Sequence, residues 1–189
     1  MTLKREQSML LVVDVQDKLI DSIHEKDRVI ANIRALIEAA CTMGLSVQVT
    51  EQEKLGSTVA GIKEVLERNS LYNPVVKEYF SCYRDDDFRE TLKEESPSNI
   101  ILCGIEAHIC VMQSALDLIA NKYQVYLVED AVSSHSGGDC ETAVKRLINA
   151  GAVVASTEML IYELLKKAGT DEFRGILPIV KGRRNALTP

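Results

Sequence analysis

The sequence predicts an α/β fold, a three-layer α/β/α sandwich around a central parallel sheet of about six strands. Short apolar runs alternate along the whole chain with segments whose apolar residues recur at helical spacing. The apolar runs are continuous, as in strands that helices cover on both faces. The chain has 189 residues, of which 46% are hydrophobic and 26% are charged, so we expect a single globular domain spanning residues 1–189.

The first alternation starts at Ser8, where a continuous apolar run ends in the carboxylate of Asp14. The segment Asp27–Met43 carries apolar residues at helical spacing, and Gly44 suits the end of that helix. The same reasoning predicts, in order, a strand, a helix, a strand and a helix over Leu45–Thr50, Thr58–Arg68, Val75–Lys77 and Phe88–Glu95.

The second half of the chain repeats the pattern, beginning with a buried strand over Asn99–Gly104. The helix predicted next, Ile109–Asn121, has a clear apolar face. The remaining predicted elements are a strand, a helix that Gly151 stops, a strand and two helices over Gln124–Val128, Asp139–Ala150, Ala152–Ser156, Glu158–Ala168 and Glu172–Val180. The core therefore runs from about residue 8 to about residue 180, and the polar segment 181–189 is expected to be loose.

Charge and cysteine content exclude several classes of function. The 22 basic and 28 acidic residues give a net charge of −6, which disfavours nucleic acid and anionic membranes as partners. Apolar runs such as Met9–Val13 are far shorter than the roughly 20 residues of a membrane span, and the first residues do not resemble a secretory signal. The cysteines are odd in number and form no Cys-x-x-Cys pair, which predicts a reduced, cytoplasmic protein: Cys41, Cys82, Cys103, Cys110 and Cys140.

Reactive side chains follow three of the predicted strands. In open α/β sheets, ligands bind outside the carboxyl ends of the strands. Strand one ends at Asp14, strand three ends at Lys77, and a short turn after strand four carries Cys110. Each also has an ordinary interpretation, namely a helix N-cap for Asp14, a surface lysine for Lys77 and a small buried hydrophobe for Cys110.

The histidines and glycines predict no metal or cofactor site. His24, His108 and His135 lack the short spacings of metal ligands, and His108 is interpreted first as a polar residue at a helix N-terminus. The segment Ser136–Gly138 lacks the lysine and hydroxyl residue of a phosphate-binding loop, so it is interpreted as a turn. We therefore expect neither a metal nor another cofactor.

Three motifs together resemble the isochorismatase-like hydrolases, also called the cysteine hydrolases, which have a Rossmann-like fold. The motifs are Leu-Val-Val-Asp-Val-Gln at 11–16, Val-Lys at 76–77 and Cys-Gly-Ile-Glu-Ala-His-Ile-Cys-Val at 103–111. Segments 50–58 and 128–134 resemble the isochorismatase-domain-containing branch of that family. The resemblance extends from about residue 8 to residue 180.

The resemblance implies a catalytic triad of Asp14, Lys77 and Cys110. Cys110 would attack an amide carbon, Asp14 would take the thiol proton, and Lys77 would hold the two in place. It also implies a cis peptide bond between Ile105 and Glu106, with the backbone N–H groups of Glu106 and Cys110 binding the oxyanion.

Other residues near the triad are candidates for the substrate pocket. Gln16 lies two positions after Asp14, and His108 lies two positions before Cys110. Tyr79 and Phe80 are candidates for an apolar wall, with packing against the sheet as the alternative. Because Cys110 is predicted near a helix N-terminus and Lys77, we expect its thiol to be partly ionised near neutral pH.

The resemblance also has two departures that narrow the expected activity. Nicotinamidases of the family carry Asp-x-His and a further histidine after strand two, whereas segment 50–56 here has no histidine. The founding isochorismatases lack the cysteine. The sequence therefore predicts a metal-independent cysteine hydrolase of a small amide, acting through a thioester and forming dimers or larger homo-oligomers. The alternatives are a hydrolase of another bond and a catalytically weak binding or scaffold protein.

Overall fold

A six-stranded parallel sheet, in the order β3-β2-β1-β4-β5-β6, lies at the centre of the computed structural model, which describes residues 3–188. The strands are β1 Ser8–Val13, β2 Ser46–Gln52, β3 Val75–Lys77, β4 Asn99–Gly104, β5 Gln124–Val132 and β6 Val153–Ala155. The order reverses at β1, whose neighbours are β2 and β4. A crevice for a ligand is expected at the carboxyl ends on either side of such a reversal.

Helices cover both faces of the sheet, which confirms the predicted three-layer architecture. Their bounds are α1 Asp17–Ile20, α2 Lys26–Met43, α3 Ala60–Arg68, α4 Asp86–Glu95, α5 Met112–Ala120, α6 Gly137–Ala150, α7 Thr157–Leu165 and α8 Asp171–Leu187. Residues of α2, α3, α7 and α8 share one hydrophobic core, and residues of α4, α5 and α6 share the other. Within residues 3–188, no helix is both long and apolar enough to cross a membrane.

The central strand shows why its sequence is a continuous apolar run. All six residues of β1 are buried. Leu10 and Val12 pack into one core, whereas Leu11 and Val13 pack into the other. A strand with helices on both faces needs apolar side chains at every position, because neither face reaches water.

Several element boundaries differ from those predicted. The short helix α1 was not predicted, β2 continues to Gln52, and β5 continues to Val132. A π-helical turn, Ala107–Val111, precedes α5, so the helical segment begins two residues before the predicted Ile109. Polar residues at the carboxyl ends of β2 and β5 hid these extensions, since apolar runs were the signal used to locate the strands.

The prediction of a loose tail is wrong for residues 181–187, which belong to α8. The guanidinium of Arg183 lies 2.7 Å from the carboxylate of Asp130, which follows the apolar part of β5. Arg183 also donates to Asn32 of α2 and to Glu158 of α7. These contacts join α8 to the rest of the fold. They involve residues distant in sequence, so local polarity could not predict them. Residue 189 lies outside the described residues.

Gly104 brings the turn after β4 against the end of β1. Its φ is +123°, and a Cβ at this position would lie 2.1 Å from the carbonyl oxygen of Val13. Gly104 is also the register partner of Val13. A side chain is therefore excluded both by the backbone conformation and by the neighbouring strand. This close approach places the turn that contains Cys110 beside Asp14.

We expect Gly104→Ala to destabilise the fold much more than Gly151→Ala. Gly151 has a φ of +104° but nothing within 4 Å of its would-be Cβ, so it controls for backbone strain alone. The free energy of unfolding should fall by about 1 kcal/mol for Gly151→Ala and by about 3 kcal/mol or more for Gly104→Ala. Urea unfolding measures both, and equal losses would contradict the proposed steric role.

Candidate active site

Asp14 lies directly after β1, at the centre of the sheet's carboxyl edge. Its φ is 51°, a left-handed conformation that is uncommon outside glycine, and its N–H donates to the carbonyl of Thr50 at 3.1 Å. The residue is 0% exposed. A buried carboxylate is unfavourable unless it is paired, so its partners are decisive for the site.

The partner of Asp14 is the ammonium group of Lys77, which lies at the end of β3. The Lys77 Nζ and Asp14 Oδ2 atoms are 2.6 Å apart, and both side chains are 0% exposed. Strand β2 lies between β1 and β3, so the long lysine side chain crosses it to reach Asp14. Burial opposes the charge on Lys77, but the nearby Asp14 charge raises the lysine pKa above its ordinary value.

All three N–H donors of the Lys77 ammonium have acceptors other than the Cys110 sulfur. The acceptors are Asp14 Oδ2 at 2.6 Å, Gln52 Oε1 at 2.8 Å and the carbonyl of Tyr79 at 3.1 Å. Lys77 therefore influences the thiol through its charge.

Thr50 of β2 holds the other oxygen of Asp14. Its hydroxyl donates to Asp14 Oδ1 at 2.7 Å and lies 3.6 Å from the sulfur of Cys82. Thr50 and Gln52 were both missed as site residues by the sequence reasoning. Their spacing of two along a strand places them on the same face, and that signal becomes useful once β2 is known to separate Asp14 from Lys77.

Cys110 enters the site from the π-helical turn after β4. The turn is anchored to the ends of β1 and β5, because Ile105 N–H donates to Val13 at 2.9 Å and Ala107 N–H donates to Ser133 at 2.7 Å. Cys110 is 7% exposed, compared with 0% for Asp14 and 1% for Lys77. A substrate that approaches from solvent therefore meets Cys110 before the other two residues.

The expectation that Cys110 is partly ionised near neutral pH is wrong. Burial raises the pKa of the Cys110 thiol well above its ordinary value of 9.0, and the charge of Asp14 raises it further. Lys77 lowers the thiol pKa, but its effect is smaller than that of Asp14. The Cys110 thiol is thus neutral near neutral pH and lies near the carboxylate of Asp14.

The Ile105–Glu106 peptide bond is cis. The Glu106 carbonyl accepts from the N–H groups of Ile109 and Val111, which closes the π-helical turn. The Glu106 N–H itself has no acceptor within residues 3–188.

Gln16 does not present its amide to a pocket. Its side chain donates to the carbonyls of Gln52 at 3.0 Å and Gly56 at 2.7 Å, and its oxygen accepts from the Gln52 N–H at 2.7 Å. The residue is 0% exposed. Gln16 therefore anchors the end of β2 and the loop that follows it. These partners are remote in sequence, so spacing from Asp14 could not reveal them.

The aromatic candidates are at the rim of the site. Tyr79 and Phe80 are 56% and 55% exposed, and the carbonyl of Tyr79 accepts a hydrogen bond from Lys77. His108 is half-buried, and its Nδ1 lies 2.9 Å from the hydroxyl of Ser134. In the part of the chain that the structure describes, no group of three or more His, Cys, Asp or Glu residues is arranged to hold a metal ion.

Known proteins are similar to this chain in sequence and in fold. A family model of the isochorismatase domain matches residues 8–159. This chain belongs to the isochorismatase-like hydrolase family. The secreted isochorismatase effector Isc1 of Phytophthora sojae is 34% identical over 177 residues, which are 92% of this chain and 84% of that protein.

Solved structures agree with the family assignment. The MAR1 ribonuclease of Caenorhabditis elegans superposes with a TM-score of 0.87 at 34% identity, over 96% of this chain and 93% of that chain. The Escherichia coli protein YcaC, described as an octameric hydrolase of unknown specificity, superposes with a TM-score of 0.88 at 22% identity, over 97% and 93% of the two chains. The second similarity shows the fold alone.

We expect opposite effects on the Cys110 thiol from substitutions at the two charged residues. Asp14→Asn removes the negative charge that raises the thiol pKa, so alkylation at a given pH should become faster. Lys77→Met removes the opposing positive charge, so alkylation should become slower. Each unit of change in pKa alters the thiolate fraction about tenfold below the pKa.

The measurement is the rate of iodoacetamide alkylation against pH, followed at Cys110 by mass spectrometry. Cys41 on α2 is an internal control, because its pKa responds to burial, Glu38 and Arg68 rather than to the ion pair. If the Cys110 profile is unchanged in both variants while Cys41 behaves as in the wild type, the electrostatic description of the site is wrong.

Proposed function

We propose that this protein is a metal-independent cysteine hydrolase that cleaves the carbon–nitrogen bond of a small amide. The observation that carries the proposal is the position of the Cys110 thiol beside a buried ion pair of Asp14 and Lys77, with the cysteine 7% exposed and the other two residues at most 1% exposed. A nucleophile, a proton acceptor and a fixed positive charge are the groups that acyl transfer through a thioester needs.

In the first half of the proposed reaction, Asp14 accepts the Cys110 proton as the sulfur attacks the carbonyl carbon. A carbon–sulfur bond forms, and the carbonyl electron pair moves onto the oxygen. The N–H groups of Glu106 and Cys110 are the proposed donors to this oxyanion. The intermediate then collapses, the carbon–nitrogen bond breaks, and the proton on Asp14 passes to the leaving nitrogen.

In the second half, water hydrolyses the thioester. Asp14 accepts a proton from the attacking water, whose oxygen bonds to the acyl carbon. The carbon–sulfur bond then breaks, and the proton returns to the Cys110 sulfur. Lys77 stays charged throughout and keeps its positive charge 2.6 Å from the carboxylate that takes the proton. Asp14 thus accepts and returns the proton in both halves of the reaction, which suits the carboxylate next to the thiol.

The residues around β2 support metal independence. Segment 50–58 contains no histidine, and the space beside Asp14 holds the Lys77 ammonium, a cation that the protein itself supplies. Gln52 directs its oxygen at that ammonium. A divalent ion at this position would meet the positive charge of Lys77 at close range, which is electrostatically unfavourable.

The test distinguishes three alternatives to this function. The MAR1 relative is named a ribonuclease, but the net charge of −6 on this chain disfavours binding a polyanion. A binding or scaffold role would leave the thiol without a substrate. A hydrolase of another bond would use the same residues on a different carbon.

The proposal predicts that turnover of a small amide requires the Cys110 sulfur. Purified protein is screened against primary and secondary amides of small acids, with single-stranded RNA included as a substrate. Cys110→Ala should abolish amide hydrolysis, because no covalent intermediate can form. Cys140→Ala is the matched control, since this half-buried cysteine on α6 should leave the rate unchanged. Acid-quenched wild-type enzyme should carry the acyl group on the peptide that contains Cys110.

The outcomes separate the alternatives clearly. Amide turnover that survives in Cys110→Ala would exclude covalent catalysis by this residue. RNA cleavage without amide cleavage would favour the activity named for the MAR1 relative. If no substrate is turned over, the binding or scaffold role gains support over the enzyme.

We also propose that the protein forms a homo-oligomer. Val76, Tyr79 and Phe80, at the β3 edge of the sheet, are each more than half exposed, and YcaC, which shares the fold, is octameric. Light scattering at micromolar concentration should give a multiple of the 21.0 kDa chain mass. A monomer at that concentration would contradict the proposal.

The proposed location is a reducing compartment, as in the cytoplasm. All five cysteines are free, and Cys110 must remain a thiol to react. The Phytophthora relative is named as secreted, so location is a property on which similar chains differ.

A further inference from the structure

We infer that Gln52 is a positioning residue for Lys77, one that holds the ammonium against Asp14 and maintains its charge. This inference deepens the proposed function and rests on it for its catalytic meaning. Gln52 Oε1 accepts from Lys77 Nζ at 2.8 Å, at the point where the lysine crosses β2. Gln52 is also the register partner of Lys77 in the sheet.

The orientation of the Gln52 amide follows from its second partner. Gln52 Nε2 donates to the carbonyl of Glu78 at 2.8 Å. A flipped amide would set its NH₂ against the ammonium and its oxygen against that carbonyl, which are two repulsive contacts. The Glu78 carbonyl therefore directs the amide oxygen toward Lys77.

The backbone of Gln52 is held as firmly as its side chain. Gln16 donates to its carbonyl and accepts from its N–H, at 3.0 Å and 2.7 Å. The N–H of Glu53 donates to the carbonyl of Lys77 at 3.0 Å, which joins the same two strand ends. A continuous set of hydrogen bonds thus runs from Gln16 through Gln52 to the ammonium.

Loss of the Gln52 oxygen would leave one ammonium proton without an acceptor in a place that water does not reach. Lys77 has three donors and three acceptors, and its side chain is 0% exposed. An uncompensated buried N–H disfavours the charged form. The lysine should then bind its proton less tightly and pair less firmly with Asp14.

The test is the titration of Lys77 by NMR in protein labelled with ¹³C at lysine Cε. The signal is assigned by its absence in Lys77→Met. Gln52→Leu should lower the Lys77 proton affinity about tenfold, or one pKa unit, whereas Gln52→Glu keeps an acceptor oxygen and should restore or exceed the wild-type value. Where alkaline unfolding hides the titration, faster exchange of the Lys77 ammonium protons at pH 7 in Gln52→Leu is the same signature.

Gln48→Leu is the matched control. Gln48 is a buried glutamine on the same strand, and its amide bonds to the carbonyls of Val49 and Asn73 rather than to Lys77. It should leave the Lys77 titration unchanged. An unchanged Lys77 in Gln52→Leu, or an equal change in Gln48→Leu, would overturn the inference. If Gln52→Leu does not fold, a Lys77 pKa in Gln52→Glu that falls below the wild-type value would overturn it.

The NMR result stands whether or not the amide screen succeeds, so the two proposals fail separately. With a substrate identified, Gln52→Leu should lower kcat about tenfold while KM changes little, because Gln52 acts on the charge of Lys77 and not on substrate binding. A change confined to KM would place Gln52 in the substrate pocket and overturn its positioning role.

Discussion

Opposite charges from the first and third strands, on Asp14 and Lys77, meet at 2.6 Å where neither side chain reaches water. In such a place a single charge is strongly unfavourable, and removing one partner of a buried pair typically destabilises a protein by about 3–5 kcal/mol. The pair therefore requires the ends of β1, β2 and β3 to keep one relative position. Thr50, Gln52 and the carbonyl of Tyr79 bond to the remaining polar atoms of both groups, so the geometry of the site and the stability of the sheet edge depend on the same contacts.

Burial strengthens the attraction between Asp14 and Lys77, but it disfavours ionisation of the Cys110 thiol. It raises the pKa of Cys110, and the nearby carboxylate raises it again, so the sulfur keeps its proton at neutral pH. A protonated thiol is less prone to alkylation and oxidation, since the thiolate is the reactive form. The positive charge of Lys77 lowers the thiol pKa but does not offset burial and the charge of Asp14.

The site residues that could be predicted from the sequence are those that differ in character from their neighbours along the chain. Asp14 and Lys77 are charges at the ends of apolar runs, and Gly104 marks the turn before Cys110, so β3 and β4 have the predicted bounds. Thr50 and Gln52 are neutral polar residues in a strand, and their roles depend on the strand order, which pattern alone does not provide. The remaining errors concern contacts between residues that are distant in sequence. They are the hydrogen-bond partners of Gln16, the contact of Arg183 with Asp130 that holds residues 181–187, and the burial that raises the pKa of Cys110.

The ion-pair residues and the solvent side of Cys110 are held by different parts of the fold. Asp14, Thr50, Gln52 and Lys77 are fixed by strands, whereas the solvent side of Cys110 belongs to loops. Those loops are joined through residues 133 and 134: the Ser133 carbonyl accepts from Ala107, its hydroxyl donates to His24, and the Ser134 hydroxyl contacts His108. Both serines are buried, so they link the loops rather than meet a substrate. The segments around residues 133 and 134 are thus held by contacts separate from the strand contacts that fix the buried ion pair.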